Sequence, residues 1–214
     1  NILEGLQGGV YVVDEALVDN DMELAEKGWR CIKRNIADIS RVTQNILYSA
    51  KERKPRLQKS SPAQLAREAV DLFQTKVGSL GIQLISSLSA EVPKVDVAVV
   101  SISRLLNNLI WNAIEACSND LEKRRHTVIV RADFYDSRHF MFEVEDDADG
   151  IDPQILDNIF KQFFSTKGSA GTGLGLVVVD RIVRSHGGKI EILTKSGKGS
   201  LFRTIFALST TIDT

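Results

Sequence analysis

The stretch Gly171-Thr172-Gly173-Leu174-Gly175-Leu176 sets three glycines on alternate positions, directly ahead of the apolar run Val177 to Val179 and of Asp180-Arg181-Ile182-Val183. Glycines so spaced let the backbone approach a ligand closely, and a helix that starts there aims its unpaired N–H groups and positive dipole end at the same point. Such a loop suits the cradling of phosphate. The bland alternative is a glycine-rich turn before a buried helix. No strand leads into these glycines, which separates them from the dinucleotide-binding fingerprint; upstream lies Phe160 to Gly171, rich in Gly, Ser and Lys just before the motif.

Two further groups could serve the same ligand. A helix over Val99 to Cys117 builds one apolar face from Ile102, Leu105, Leu106, Leu109, Ile110, Ala113 and Ile114, and aligns Arg104, Asn108, Asn112 and Glu115 on the opposite face. Asparagine is a poor helix former, so two stacked beside a Glu suggest amide oxygens offered to a hard cation such as Mg²⁺. Capping or solvated asparagines are the alternative. In Val144-Glu145-Asp146-Asp147-Ala148-Asp149-Gly150-Ile151 a strand then runs into acidic residues and a glycine. A carboxylate at a strand end, Asp146, can accept a hydrogen bond from the exocyclic amine of adenine, and Gly150 would let the ring lie against backbone. Metal ligands, an adenine reader and a phosphate cradle, in this order, fit one nucleotide.

The elements that must position these groups fall into two parts. Residues 1 to 20 place Leu3, Leu6, Val10, Val13 and Leu17 at alternating spacings of three and four, with Gly8 and Gly9 inside the seam, suggesting close packing or a bend. After a turn at Val18-Asp19-Asn20, Asp21 is the expected N-cap of a second helix, Met22 to Arg53, whose seam runs Ala25, Trp29, Ile32, Ile36, Ile39, Thr43, Ile46 and Ala50. A lone hairpin cannot bury both stripes, so residues 1–53 are expected to form a homodimeric four-helix bundle. Lys54-Pro55 ends the second helix and marks a hinge. The expected domains are therefore 1–55 and 56–214.

In the second part, an edge strand at Leu57 to Ser60 precedes a helix opened by Ser61-Pro62, with Leu65, Ala66, Ala69, Val70, Leu72 and Phe73 inward. A strand over Gly81 to Leu88 follows, then the asparagine helix after Val92-Pro93, a hairpin of Thr127 to Phe134 with His139 to Asp146, and a helix from Thr172 to Gly187-Gly188. Lys189 to Thr194 with Leu201 to Leu208 closes the chain. The expected fold class is α+β: a helical hairpin followed by an α/β sandwich with helices on one face of the sheet.

A net charge of −1 gives no field to draw in nucleic acid, and the clusters at Arg53 to Arg56 and Lys123-Arg124-Arg125 read as solvated surface. No apolar run has the length of a membrane span, so this stretch is expected to make no membrane contact and to be cytoplasmic. Asn1 falls inside a helical pattern, so the chain reads as a piece of a longer protein, one that regions before Asn1 could attach to a membrane. Cys31 and Cys117 read as reduced, buried thiols. His126 and His139 read as strand starts, and His186, just before Gly187-Gly188, as a cation complementing a helix C-terminus.

Taken together, the motifs resemble those of the histidine kinase branch of the ATPase superfamily that also holds the Hsp90 chaperone, the MutL repair protein and DNA gyrase. Asn108-Leu-Ile-Trp-Asn112-Ala-Ile-Glu-Ala116 resembles the N box, Asp146 to Gly150 the first glycine box, Ile159 to Lys167 the F box, Gly171 to Leu176 the second glycine box, and Gly197-Lys198-Gly199-Ser200-Leu201-Phe202 the closing glycine turn. The resemblance implies ATP and Mg²⁺ as ligands, with Asn108 and Asn112 near the metal and triphosphate and Asp146 with Gly150 at the adenine. It gives Lys167 and the loop Gly171, Thr172, Gly173, Leu174 and Gly175 to the phosphates. Ala148 stands where the family has glycine, and its methyl would tighten the pocket. The N-terminal hairpin resembles the dimerisation and phosphotransfer domain. Asn1-Ile2-Leu3 is similar to the end of its His-x-x-x-Asn pattern, which would put the phosphoacceptor four residues before Asn1 and give Asn1 a water-orienting role in phosphatase activity.

The implied function is that of a sensor histidine kinase core, which passes the γ-phosphoryl group of ATP to that histidine and on to an aspartate of a response regulator receiver domain. An ATP-hydrolysing clamp of the chaperone and gyrase type is the rival enzyme. There a Glu four residues before the metal-binding Asn activates water; here Asn108, which cannot act as a base, holds that position, with Glu115 the nearby substitute. The non-enzymatic rival is a dimeric signalling scaffold that binds nucleotide without transferring it.

Overall fold

The structure, a computed structural model, describes residues 2–50, 56–78, 80–120, 125–165 and 173–208. The chain divides into two compact units, one of residues 1–52 with 161–174 and one of residues 53–160 with 175–214.

The first unit is built on α1 (Ile2–Val18) and α2 (Met22–Ala50). Asn20 turns the chain with a φ of 53°, and the Asp21 carboxylate accepts from the Leu24 N–H at 3.0 Å, the cap the sequence predicts. The hairpin closes on small residues. A Cβ on Gly9 would lie 2.9 Å from Ile32 Cγ1, one on Gly28 would lie 2.8 Å from Val13 Cγ2, and one on Gly5 would meet the Asn35 amide at 2.7 Å. Gly8, by contrast, faces open space. Ala16, Ala25 and Ile32 complete the buried contact, while Leu3, Val10 and Leu17 on α1 and Met22, Trp29 and Ile36 on α2 stay exposed. Each exposed set recurs every seven residues, so one heptad position per helix is left uncovered. Cys31 is half-buried rather than buried, its S–H 3.5 Å from the Gly5 carbonyl. The side chains of Ile46 and Ala50, and Lys54-Pro55, lie outside the described residues.

The second unit holds β1 (Gln58–Ser60), α3 (Pro62–Gly78), β2 (Ile82–Leu88), β3 (Val95–Val97), α4 (Val99–Asn119), β4 (His126–Phe134), β5 (His139–Asp146), a 3₁₀ turn at Pro153–Asn158, α5 (Gly175–Ser185), β6 (Lys189–Thr194) and β7 (Ser200–Ala207). Pro62 opens α3 as expected, but Leu72 points outward and is exposed. The sequence gives no sign of β3, which pairs antiparallel with β1 in a two-stranded sheet. The main sheet has the order β2-β4-β5-β7-β6, parallel between β2 and β4 and antiparallel elsewhere. A parallel pair needs a long crossover, and β3 with α4 provides it. Val128, Val130, Phe140, Phe142, Val144, Phe202 and Phe206 line the sheet face on which α3, α4 and α5 pack, with Phe140 and Phe142 edge to face at 5.6 Å.

The other face carries a row of alternating charge. Arg131, Glu143, Arg203 and Glu191 stand opposite one another across four strands. Glu143 receives Arg203 Nε at 2.6 Å and Arg131 Nη1 at 3.4 Å, and Glu191 receives Arg203 Nη1 at 3.1 Å. Cross-strand pairs of opposite sign are the favourable arrangement in a sheet.

His186 ties the end of α5 to the start of α4. Its Nδ1 lies 2.8 Å from the Ile182 carbonyl, so Nδ1 carries the proton, and the Ala98 N–H donates to Nε2 at 3.3 Å. A cation has no lone pair to offer Ala98, and burial holds the imidazole below its ordinary value of 6.5. The expectation of a cationic ring facing the helix dipole is thus corrected: the ring is neutral. The unfolded chain takes up a proton near 6.5 while the native ring resists it, so this group's contribution to stability is present above 6.5 and is lost as pH falls through the native value. A His186→Leu variant leaves the Ala98 N–H without its acceptor. In urea denaturation at pH 8 it is expected to lose about 1–3 kcal/mol, and part of the acid destabilisation below pH 6.5 should disappear with it; an unchanged midpoint and pH profile would refute the tie.

Candidate functional site

The asparagine face of α4 meets the start of α5. Asn108 is buried, and its Nδ2 donates to the Arg104 carbonyl one turn back at 2.8 Å. That bond spends the amide's donor side within the helix and turns Oδ1 outward. A Cβ on Gly175 would lie 3.3 Å from Asn108 Oδ1 and 3.6 Å from Asn112 Oδ1. The two amide oxygens therefore converge on the first residue of α5, which begins at Gly175 rather than at Thr172. Convergent neutral oxygens are donors of the hard kind that Mg²⁺ accepts, and a helix N-terminus beside them favours an anion. The absence of a side chain at 175 keeps the space between them open.

Asp146 ends β5 on the helix-covered face, in the cross-strand row Val128, Asp146, Ser200 and Thr194. Its Oδ1 accepts from the Ala148 N–H at 3.1 Å, and the Ser200 N–H also donates to the carboxylate. Only 6% of the residue is exposed, and burial, reinforced by Asp147 and Glu145, pushes the carboxyl up to about 6 against the pull of those two donors. Ala148 is itself buried, so the methyl that departs from the glycine pattern packs inside the protein.

The glycines around Asp146 have structural reasons of their own. Gly150, at φ 74°, would press a Cβ into the Lys195 carbonyl, and Gly199, at φ 89°, into the carbonyl of Asp146. The Gly197 N–H donates to the Asp149 carbonyl at 2.7 Å. Thr194 joins the two loops: its Oγ1 accepts from the Ile151 N–H at 2.8 Å and lies 3.1 Å from the Gly199 carbonyl. The turn over 195–199 thus braces the loop that follows Asp146. Nothing in the sequence singles out Thr194 beyond its place at a strand end before Gly-x-Gly.

In the first unit, Gly173 has a φ of 61° and would drive a Cβ into the backbone of Phe163, whose own φ is 64°. The Phe163 N–H donates to the Gly173 carbonyl at 3.2 Å, so the two motifs meet through backbone alone. Leu174 is buried. Asn1, Lys167, Gly171 and Thr172 lie outside the described residues. Of the expected site, the structure brings Asn108, Asn112 and Gly175 together, and sets Asp146 and Gly150 in the braced loop at the end of β5.

The family described as histidine kinase-, DNA gyrase B- and HSP90-like ATPase matches residues 98–210. The chain is 27% identical over 209 residues to the signal transduction histidine-protein kinase AtoS of Escherichia coli K12, across 98% of this chain and 33% of AtoS. It is 32% identical over 164 residues to the sensor histidine kinase ZraS of the same organism, across 77% of this chain and 34% of ZraS. The chain thus spans about a third of the length of these curated relatives. Among solved structures, the histidine kinase ThkA in complex with the response regulator protein TrrA superposes with a TM-score of 0.70 at 22% identity, covering 97% of this chain and 60% of that one; this likeness takes in the helical hairpin as well as the sandwich.

The environment of Asp146 makes a direct prediction. In carbon-13 carboxyl NMR of the nucleotide-free chain, Asp146 should titrate at about 6, above the 3.8 of an exposed aspartate. Because the native state takes up this proton before the unfolded one, Asp146 favours the native state increasingly as pH falls from about 6 towards 3.8. A midpoint near 3.8 would mean that the carboxylate is solvated.

Proposed function

The chain belongs to the family of histidine kinase-, DNA gyrase B- and HSP90-like ATPases, and from that premise we propose that it is the catalytic core of a two-component sensor histidine kinase, with residues 1–55 as the dimerisation and phosphotransfer hairpin and 56–214 as the ATP-binding domain. The observation that carries the proposal is the convergence of the Asn108 and Asn112 oxygens on Gly175 at the start of α5. The kinship in sequence to AtoS and ZraS supports the kinase branch over the clamp, as does the neutral amide of Asn108 where a water-activating base would stand.

In this reading Asn108 and Asn112 hold Mg²⁺, which would neutralise charge on the β- and γ-phosphates. The backbone from Gly171 through Thr172, Gly173 and Leu174 to Gly175 cradles the phosphates, with Lys167 beside them. The Asp146 carboxylate accepts the adenine amine, and Gly150 keeps the loop beneath it in place. The γ-phosphoryl group passes to a histidine four residues before Asn1: the new N–P bond forms as the P–O bond to ADP breaks, and the γ-phosphate then moves to an aspartate of a response regulator receiver domain. The complex of ThkA with TrrA supports such a partner. Asn1, in the same register, orients the water that releases phosphate from that aspartate. Positioning carries such transfers, and a hinge at Lys54-Pro55 lets the ATP-binding domain reach the hairpin.

Dimerisation through residues 1–53 rests on the uncovered heptad positions of the hairpin, Leu3, Val10 and Leu17 with Met22, Trp29 and Ile36. Pairing with a second copy would remove this apolar surface from water at about 25 cal/mol per Å². Replacing Trp29 and Ile36 by Asp should give monomers in sedimentation equilibrium with helicity retained; variants that remain dimeric would refute the interface.

Transfer itself is tested by extending the chain upstream through its native residues. With γ-labelled ATP and Mg²⁺, the extended chain should acquire acid-labile, base-stable label on the histidine four residues before Asn1, and the 214-residue chain should acquire none. Gly175→Ala in the extended chain should fold normally and lose the label at least about tenfold, since its methyl crowds both amide oxygens. Label on the short chain, or full label in the Gly175→Ala chain, would sink the mechanism.

A further inference from the structure

Five residues beyond Asn112, at the opposite end of α4 from the Ala98 tie, a second group of donors comes together. His126, the first residue of β4, is 5% exposed. Its Nδ1 lies 3.0 Å from Asp147 Oδ1, which also accepts the Thr127 N–H at 3.0 Å. A carboxylate oxygen can only accept, so the proton of the neutral ring sits on Nδ1 and the lone pair on Nε2. That Nε2 is buried and has no hydrogen-bond partner among the described residues. The nearest carboxylate, Asp120 Oδ2, stands 3.7 Å away, beyond hydrogen-bond reach, with a side chain 6% exposed. Cys117 is fully buried one turn back on α4, and ligand atoms of Cys117, His126 and Asp147 lie within 4.8 Å of one another.

We infer that Cys117, Asp120 and His126 bind a divalent transition-metal ion, Zn²⁺ by the nature of the donors, with Asp147 as the residue that orients the imidazole. A thiolate, an imidazole nitrogen and a carboxylate are the ligand types zinc takes together, at about 2.0–2.3 Å each. Ligand atoms on one such ion lie about 3–4 Å apart, so small side-chain rotations close the observed spacings. The pairing of Nδ1–H with a carboxylate that is itself held by a backbone N–H is the outer-shell arrangement that fixes the tautomer of a metal-bound histidine. An ion also accounts for a lone pair and two carboxylates gathered in one buried corner, where unpaired polar groups are costly. Hard-cation chemistry at Asn108 and Asn112 uses none of these residues. The site joins α4, which carries those asparagines, to the residue next after Asp146.

The test uses Co²⁺ as a spectroscopic substitute for zinc, with the chain dialysed against chelator and free of nucleotide and Mg²⁺. A single equivalent of Co²⁺ should raise a near-ultraviolet thiolate-to-cobalt charge-transfer band, and one equivalent of Zn²⁺ should abolish it. Cys31→Ser should leave the band, and Cys117→Ser, a nearly isosteric change, should remove it. Asp147→Asn and His126→Gln, their folding checked by circular dichroism, should each weaken Co²⁺ binding by about tenfold or more. No saturable uptake by the unsubstituted chain would overturn the inference, as expected if His126 is a cation held between Asp147 and Asp120. A band that survives Cys117→Ser would overturn it equally.

Discussion

The antiparallel pairing of α4 and α5 is fixed at two points, and the geometry of the site follows from them. At one end the Ala98 N–H reaches the neutral imidazole of His186; at the other, Gly175 comes against the amide oxygens of Asn108 and Asn112. Between them Val178, Val179, Ile182 and Val183 bury the inner stripe of α5. A helix of 11 residues tied at both ends cannot slide by a turn without breaking one tie or the other. The placement of the α5 N-terminus over the asparagines is thus a property of the packed core.

The strand β5 carries two buried carboxylates with opposite surroundings. Glu143, on the outer face, is flanked by Arg131 and Arg203. Asp146, on the inner face, has backbone N–H donors and like-charged neighbours, and its carboxyl rises to about 6. A buried carboxylate without a cation is costly to the fold, whereas one between two guanidiniums is part of it. That asymmetry is what sets Asp146 apart as a binding group.

Much of this was legible in the residues themselves. Spacing alone put Asn108 and Asn112 on one face, the Asp21 cap and the Pro62 start were read correctly, and the alternation of Thr127 to Phe134 and His139 to Asp146 marked the central hairpin. What stayed hidden depends on partners distant in sequence. His186 before two glycines looks like a cation at a helix end until Ala98, 88 residues away, is seen to donate to it. Gly5 and Gly28 carry no local signal, since their role is the close approach of another helix. Gly150 and Gly199 read as ligand-facing, yet each admits a carbonyl from the neighbouring loop. Strand β3 is three residues long and has meaning only beside β1.

The sheet order β2-β4-β5-β7-β6 also constrains how the chain can emerge from a ribosome. The strand that completes the sheet is the last in sequence, and it lies between β5 and β6 rather than at an edge. Until residues 200–207 have been made, β5 presents an open hydrogen-bonding edge and Glu143 lacks the closer of its two arginines. A nascent chain halted before β7 would thus carry an apolar strand ready to pair with any other chain, a state that chaperones are needed to shield. Folding of this domain is therefore set to finish after its final strand is synthesised, and the insertion of Arg203 beside Glu143 closes edge and charge row in one event.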